Sequence, residues 1–324
     1  MKDVAEFCDV SIATVSKVLN GKDANINEET RRKIFDAVKQ LGYVQNTVAK
    51  GLRTQRTNML GFILPDISNP FFAEIARGIE DYARSHNFGV LISNTNGDAQ
   101  LERENFKRLT SRMVDGVIFT RTMKLQYMDE YSSAGTPMVV VDREIDFHGS
   151  GIGAIMINTQ QGIYDATNVL IGQGCRRIAF ISAFYMSDHD RFDGYCQALR
   201  EHGLPVVPEL VFRRDYDIAT GYDGMKQILS ENEIDGVVCG NDLIAVGVYD
   251  AIHEKGLSIP GDIKVFGFDD IFFSAFISPP LTTVHQPAYE MGTEAARMLI
   301  CHIESGTPLL VEELPYRMVM RSSV

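Results

Sequence analysis

Val10-Ser-Ile-Ala-Thr-Val-Ser-Lys-Val-Leu-Asn-Gly21 is the stretch on which the reading of this chain turns. Ser11 is a capping residue, Val15, Val18 and Leu19 share one helical face, and Asn20-Gly21 is a stop signal, so a short helix is predicted from Ser11 to Asn20. Before it, Asp3 to Asp9 forms another short amphipathic stretch, with Val4, Ala5 and Phe7 apolar. Two helices joined by the tight turn Cys8-Asp9-Val10 have helix-turn-helix spacing, and the second is placed to enter a major groove. Its outward face carries Ile12, Ala13, Ser16 and Lys17. A third helix begins at Asn27, has Glu28 and Glu29 in its first turn, keeps Ile34, Val38 and Leu41 on one face and ends at Gly42. Three helices this short bury little apolar surface, so the segment is a small domain.

Past Met59 the pattern changes. Short apolar runs (60–64, 89–93, 115–119, 137–142, 177–182, 210–212, 235–239 and 262–269) alternate with helix-length amphipathic stretches. Continuous apolar strands separated by helices predict parallel sheets covered on both faces. About 265 residues of this pattern exceed one sheet and imply two similar doubly wound lobes. The predicted fold class is therefore α/β: an all-α helix-turn-helix head followed by two Rossmann-like lobes. In such sheets ligands lie beyond the carboxyl ends of the strands. That directs attention to 65–72, Asp142-Arg143, Asn241-Asp242 and Asp269-Asp270.

Charge agrees with a head-and-body division. The net charge is −12, yet residues 1–58 hold ten Lys/Arg against seven Asp/Glu, leaving 21 basic and 36 acidic residues in the rest. A basic head on an acidic body confines a nucleic-acid contact to one end. The apolar runs are too short to span a bilayer, and the first residues have no apolar signal region. Five scattered cysteines without a C-x-x-C pair point to free thiols in a reducing compartment, hence the cytoplasm.

Together with Gly42-Tyr43 and 46–52, the run from Val10 to Gly21 resembles the lac repressor/gal repressor family of transcriptional regulators, and the likeness extends along the chain. The resemblance implies a head at 1–44, a hinge helix and linker at 45–58, and an effector-binding body at 59–324, with one lobe at 59–157 plus 287–318 and the other at 158–286. It places Ile12, Ala13 and Lys17 against bases, gives Thr14, Ser16 and Asn20 phosphate-binding or helix-positioning roles, and sets Asn46 to Arg53 in the minor groove. Leu52 matches the apolar wedge that two subunits insert at the operator centre, flanked by Lys50 and Arg53; such a wedge unstacks a base step and bends the duplex. Three positions depart from the family pattern. Lys17 stands where arginine is common, Asp9 replaces a frequent turn glycine, and Gln45 replaces a frequent proline.

The body resembles a periplasmic sugar-binding protein. That likeness implies a ligand set of Asn69, Phe71, Phe72, Asp142, Arg143, Arg191, Tyr216, Asn241, Asp269 and Gln286, most similar to a ribose site. Aromatic faces suit the C–H side of a sugar ring, and planar Asp, Arg, Asn and Gln groups suit its hydroxyls. A purine remains an alternative effector, since aromatic walls and arginine also fit a planar base. Asp242 is read as the N-cap of the following helix. His189 and His285 lack metal-ligand spacing, and no cofactor is expected. Nucleotide-binding and hydrolase motifs are missing; Gly149-Ser-Gly-Ile-Gly153 fails their spacings. The expectation is a regulator and not an enzyme or a transport protein. It should be a homodimer on a near-palindromic DNA operator, without the leucine-heptad tail of a tetramer.

Overall fold

A computed structural model describes residues 1–19, 21, 23–43, 56–111, 114–120, 127–142, 151–183 and 189–324. The chain divides into two compact units, Met1–Thr57 and Asn58–Val324.

In the first unit, helix α1 (Lys2–Cys8) ends on Asp9, which takes left-handed backbone (φ 52°, ψ 49°). Asp is among the few side chains that adopt this geometry cheaply, so it serves where glycine is otherwise used. Helix α2 (Ile12–Leu19) is capped by Ser11, whose Oγ accepts from Thr14 N at 3.1 Å. Helix α3 (Glu28–Gln40) is capped by Asn27, whose Oδ1 accepts from Thr30 N at 2.7 Å. Val4, Ala5, Cys8, Val15, Val18, Ile34 and Ala37 form the core, with Leu19 and Val38 packed at its edge. Leu41 does not join the apolar face as its spacing predicts: it lies past the last helical turn and is exposed.

The second unit holds two six-stranded sheets. In the first, β1 (Met59–Leu64) is flanked by β2 (Gly89–Asn94) and β3 (Gly116–Phe119), followed by β4 (Met138–Val141), β5 (Ile152–Met156) and β11 (Val311–Glu313). In the second, β6 (Ile178–Ala183) lies between β7 (Val211–Arg214) and β8 (Gly236–Cys239), followed by β9 (Lys264–Asp269), β10 (Thr282–His285) and β12 (Arg317–Val319). All pairings are parallel except β10 with β12. The central strands are buried along their length, as sheets covered on both faces require. The chain passes from the first sheet to the second after β5, returns after β10, and crosses again between β11 and β12. The lobe boundary expected at residue 318 therefore cuts through a strand. Residues from Arg317 onward belong to the second lobe, where Thr283 pairs with Val319 and Ser323 Oγ donates to Val265 O at 2.7 Å.

The helices α9 (Ile218–Glu231) and α10 (Asp242–Glu254) cross at backbone contact. A Cβ at Gly221 would lie 1.9 Å from Ile244 O, and one at Gly247 would lie 1.9 Å from Ile218 O. Neither neighbour is a movable side chain. Gly221→Ala is expected to destabilise the body by about 1–3 kcal/mol through overpacking. Gly172→Ala, on a helix with nothing within 4 Å, should be neutral or slightly stabilising. Denaturant melts of both variants check the contrast, and equal stabilities would contradict the close crossing.

Candidate functional site

The carboxyl ends of both sheets open on one cleft of about 590 Å³. From the first lobe it is lined by Asp66, Asn69, Phe71, Phe72, Asn96, Asp142 and Glu313, and from the second by Arg191, Asp215, Tyr216, Asp217, Asn241 and Asp269, with 156–160 at the crossover. Eight of the ten side chains implied by the sugar-binding likeness thus border one space.

Two of them owe their positions to helix capping. Asn69 precedes α4 (Pro70–Ser85), and its Oδ1 accepts from Phe71 N at 3.0 Å. Asn241 precedes α10, and its Oδ1 accepts from Ile244 N at 2.9 Å. Capping engages each carbonyl oxygen, while the NH2 group of each amide is a donor. Both are buried. Proline at the first helical position sets the entry angle of α4. Phe71 and Phe72 meet edge to face, with centroids 5.2 Å apart.

Arg191, on α8 (His189–Glu201), is buried and donates through Nη1 to Gly240 O at 2.5 Å. Its guanidinium lies over the Phe268 ring at 4.5 Å and the Tyr216 ring at 5.1 Å. An arginine held by two aromatic rings and a backbone carbonyl is pre-organised for planar, multidentate hydrogen bonding. Asp269 is buried at the end of β9 and accepts from Gln286 Nε2 at 2.7 Å. Burial pushes its carboxyl well above the ordinary range; Arg191 opposes this, while Asp242 and Asp142 add to it. Gln286 reaches the cleft through Asp269 and does not line it. Its Oε1 is buried with no partner among the described residues.

Three cleft residues other than glycine take positive φ: Asn96 (51°), Asp142 (74°) and Asp269 (113°), and Asp270 follows at 59°. Asp269 lies outside the left-handed well, where an L residue is strained, and such strain gathers at ligand sites. The turn that follows it is tied down by the neighbour read above as a cap. Asp242 is not the N-cap of α10, because Asn241 fills that position. Asp242 is instead fully buried, with Oδ2 accepting from Ile271 N at 2.9 Å and Ser274 Oγ at 2.5 Å, and Oδ1 from Thr283 Oγ1 at 2.7 Å. Burial pushes its carboxyl up to about 6 against these donors. One carboxylate thereby ties the loop after β8 to the turn after β9 and to β10. Asp270, held low against burial by hydrogen bonds from His285 at the end of β10 (2.9 Å) and Arg321 in the C-terminal tail (2.7 Å), braces the same turn.

Arg143 lies outside the described residues, as do Asn20, Asn46, Lys50, Leu52 and Arg53. On the head, Ile12, Ala13 and Lys17 are exposed on α2, and Thr14 and Ser16 are half-buried. Asp217 and Glu313 line the cleft without being foreseen. Asp217 carries the signal of a helix cap, which it is, with Oδ1 accepting from Thr220 N at 2.7 Å, and Glu313 carries no signal at all. Among the described residues there is no cluster of three metal-binding side chains, and no helix is long and apolar enough to cross a membrane.

Residues 1–46 match the bacterial regulatory proteins of the lacI family, and residues 167–324 match a periplasmic binding protein-like domain. An HTH-type transcriptional regulator RegA from Clostridium saccharobutylicum is 39% identical, covering 93% of this chain and 91% of its own. A ribose operon repressor from Halalkalibacterium halodurans is 35% identical over 100% and 96%. An HTH-type transcriptional repressor PurR from Glaesserella parasuis is 34% identical over 100% and 98%. Among solved structures, a LacI family regulator from Enterococcus faecium with bound ribose superposes with a TM-score of 0.74 at 30% identity, over 82% of this chain and 98% of that one. A lac repressor dimer bound to operator superposes at 0.86 over 99% and 97%, at 24% identity, and shares the fold. The helix-turn-helix head, the two parallel-sheet lobes and these relatives lead to one conclusion: the chain belongs to the LacI family and is a DNA-binding transcriptional regulator, not an enzyme.

Proposed function

We propose that this chain is a cytoplasmic repressor whose operator affinity is set by a small sugar in the interlobe cleft, with ribose or a related pentose as first choice. The observation that carries the reading is the convergence of Asn69, Phe71, Phe72, Asp142, Arg191, Tyr216, Asn241 and Asp269 on one cleft. It combines aromatic faces with planar hydrogen-bonding groups, as a compact polyol demands. The relatives named for the ribose operon and the ribose-bound regulator support the same choice. A purine is the second reading, favoured by the guanidinium that lies against the Tyr216 and Phe268 rings and by the relative named PurR. Calorimetry on residues 58–324 with free pentoses, hexoses and purine bases separates the two. Pentose binding with no purine binding supports the first, and the reverse result replaces it with the second.

In this reading two copies bind a near-palindromic operator, each placing α2 in a major groove. Ile12, Ala13 and Lys17 meet bases, while Thr14, Ser16 and Asn20 meet phosphates. Asn46, Lys50 and Arg53 follow the minor groove on either side of Leu52. Because phosphate contacts release counterions, operator affinity should fall steeply with salt, and residues 58–324 alone should bind sugar and not operator. Leu52→Ala should weaken operator binding and lessen bending in a circular-permutation gel assay while leaving sugar affinity unchanged. Equal bending by the two proteins would remove Leu52 from the operator centre.

A further inference from the structure

The described lining of the cleft is rich in carboxylates. Among its described lining residues are six carboxylates (Asp66, Asp142, Asp215, Asp217, Asp269 and Glu313) and one guanidinium, that of Arg191. Asp142 and Asp269 belong to the ligand set proposed above. The other four do not, and three of them, Asp215, Asp217 and Glu313, are exposed to solvent, whereas Asn69, Arg191, Asn241 and Asp269 are buried. They come from both sides: Glu313 from the end of β11 in the first lobe, Asp215 and Asp217 from the loop after β7 in the second. Arg191 cannot serve as an anion site without cost, since its guanidinium is buried, stacked over Phe268 and donating to Gly240 O. An entering phosphate dianion would lose its hydration and meet like charges on both walls, in a concave space where fields are focused.

We propose that Asp215, Asp217 and Glu313 are specificity-determining residues that exclude anionic ligands, so that the effector is a free sugar and its phosphate ester is rejected. The inference rests on the reading of the cleft as a sugar site and adds a division of labour to it. The inner groups hold hydroxyls, and the outer carboxylates discriminate by charge. Specificity of this kind comes from a repulsive element set against the wrong ligand. Loss of the carboxylates should therefore admit the phosphate without altering the free sugar. Asp217→Asn keeps the helix cap, because asparagine caps as well as aspartate.

The test is calorimetry on the full chain with ribose and with ribose 5-phosphate. One protein is the natural chain and the other carries Asp215→Asn, Asp217→Asn and Glu313→Gln. The natural chain should bind the phosphate at least about tenfold more weakly than ribose, with the gap narrowing as salt rises, since exposed charges are screened. In the triple variant the gap should close by about tenfold at low salt while ribose affinity stays within about twofold. Phosphate binding as tight as ribose in the natural chain would overturn the filter. A gap that neither salt nor the triple variant moves would also overturn it, and would assign the exclusion to shape. Binding of neither compound would remove the pentose reading itself, and the filter with it.

Discussion

Arg191→Ala should reduce effector affinity by roughly 30- to several thousand-fold, the equivalent of about 2–5 kcal/mol, with the fold retained. The size of the effect follows from what the side chain does. The guanidinium is buried and held over Phe268 and Tyr216, so its geometry is set before a ligand arrives. Truncation removes a multidentate donor and leaves Asp269 in a buried pocket without the cation that opposes its desolvation. Arg191→Lys keeps the charge but loses the planar fork and the stacking, so it should recover little of the affinity. Asp269→Ala should act with similar size from the acceptor side. Calorimetry on residues 58–324 reads all three, and near-normal affinity in Arg191→Ala would place the effector elsewhere. Without effector, operator binding should survive these changes, because none of these residues belongs to the head.

Asp242→Ala should be the most destabilising single change in the body, at about 3–5 kcal/mol, because three donors lose a buried acceptor at once. Ser274 and Thr283 can rotate their hydroxyls, but Ile271 N has no such freedom. The same residue has a pH signature. Burial raises the carboxyl to about 6 in the folded chain, whereas an unfolded aspartate titrates near 4. As pH rises the unfolded chain therefore releases this proton first. The stability contributed at Asp242 is full below about pH 4, is lost between about 4 and 6, and stays level above that, a fall of about 3 kcal/mol. Asp242→Asn fits the same space, accepts from Ile271 N, and has no proton to lose. Urea melts across that range should show a shallower decline, or a steeper rise, for Asp242→Asn than for the natural chain. Parallel stability profiles would show that Asp242 does not titrate in the fold.

Both effects depend on contacts that only the fold reveals. The alternation of short apolar runs with amphipathic stretches was enough to read two doubly wound lobes, because parallel strands buried on both faces leave a local signature. Asp9 was legible as a left-handed turn residue for the same reason: its conformational tolerance is a property of one side chain. The roles of Asn241 and Asp242 were not legible. Two polar residues after a strand both look like caps, and telling them apart requires Ser274 and Thr283, 32 and 41 residues further along. Glu313 enters the cleft because a three-residue strand near the C-terminus returns to the first sheet, and the next strand pairs with the second. A run of three residues carries no periodicity from which to read either pairing. The candidate ligand set was legible chiefly through family likeness, since each residue alone reads as well as a core aromatic, a solvated loop charge or a cap. The cleft adds their convergence, which no single position carries.

A regulator controlled through this cleft must couple ligand binding there to DNA binding. Fluorescence anisotropy of the full chain on its operator, recovered by selection from random duplexes, measures this with and without saturating ribose. Operator affinity should change on adding ribose to the natural chain and stay fixed in Arg191→Ala, which should bind the operator as the natural chain does without sugar. An affinity that ribose leaves unmoved in the natural chain, or moves equally in both proteins, would contradict a ribose-controlled regulator acting through this cleft.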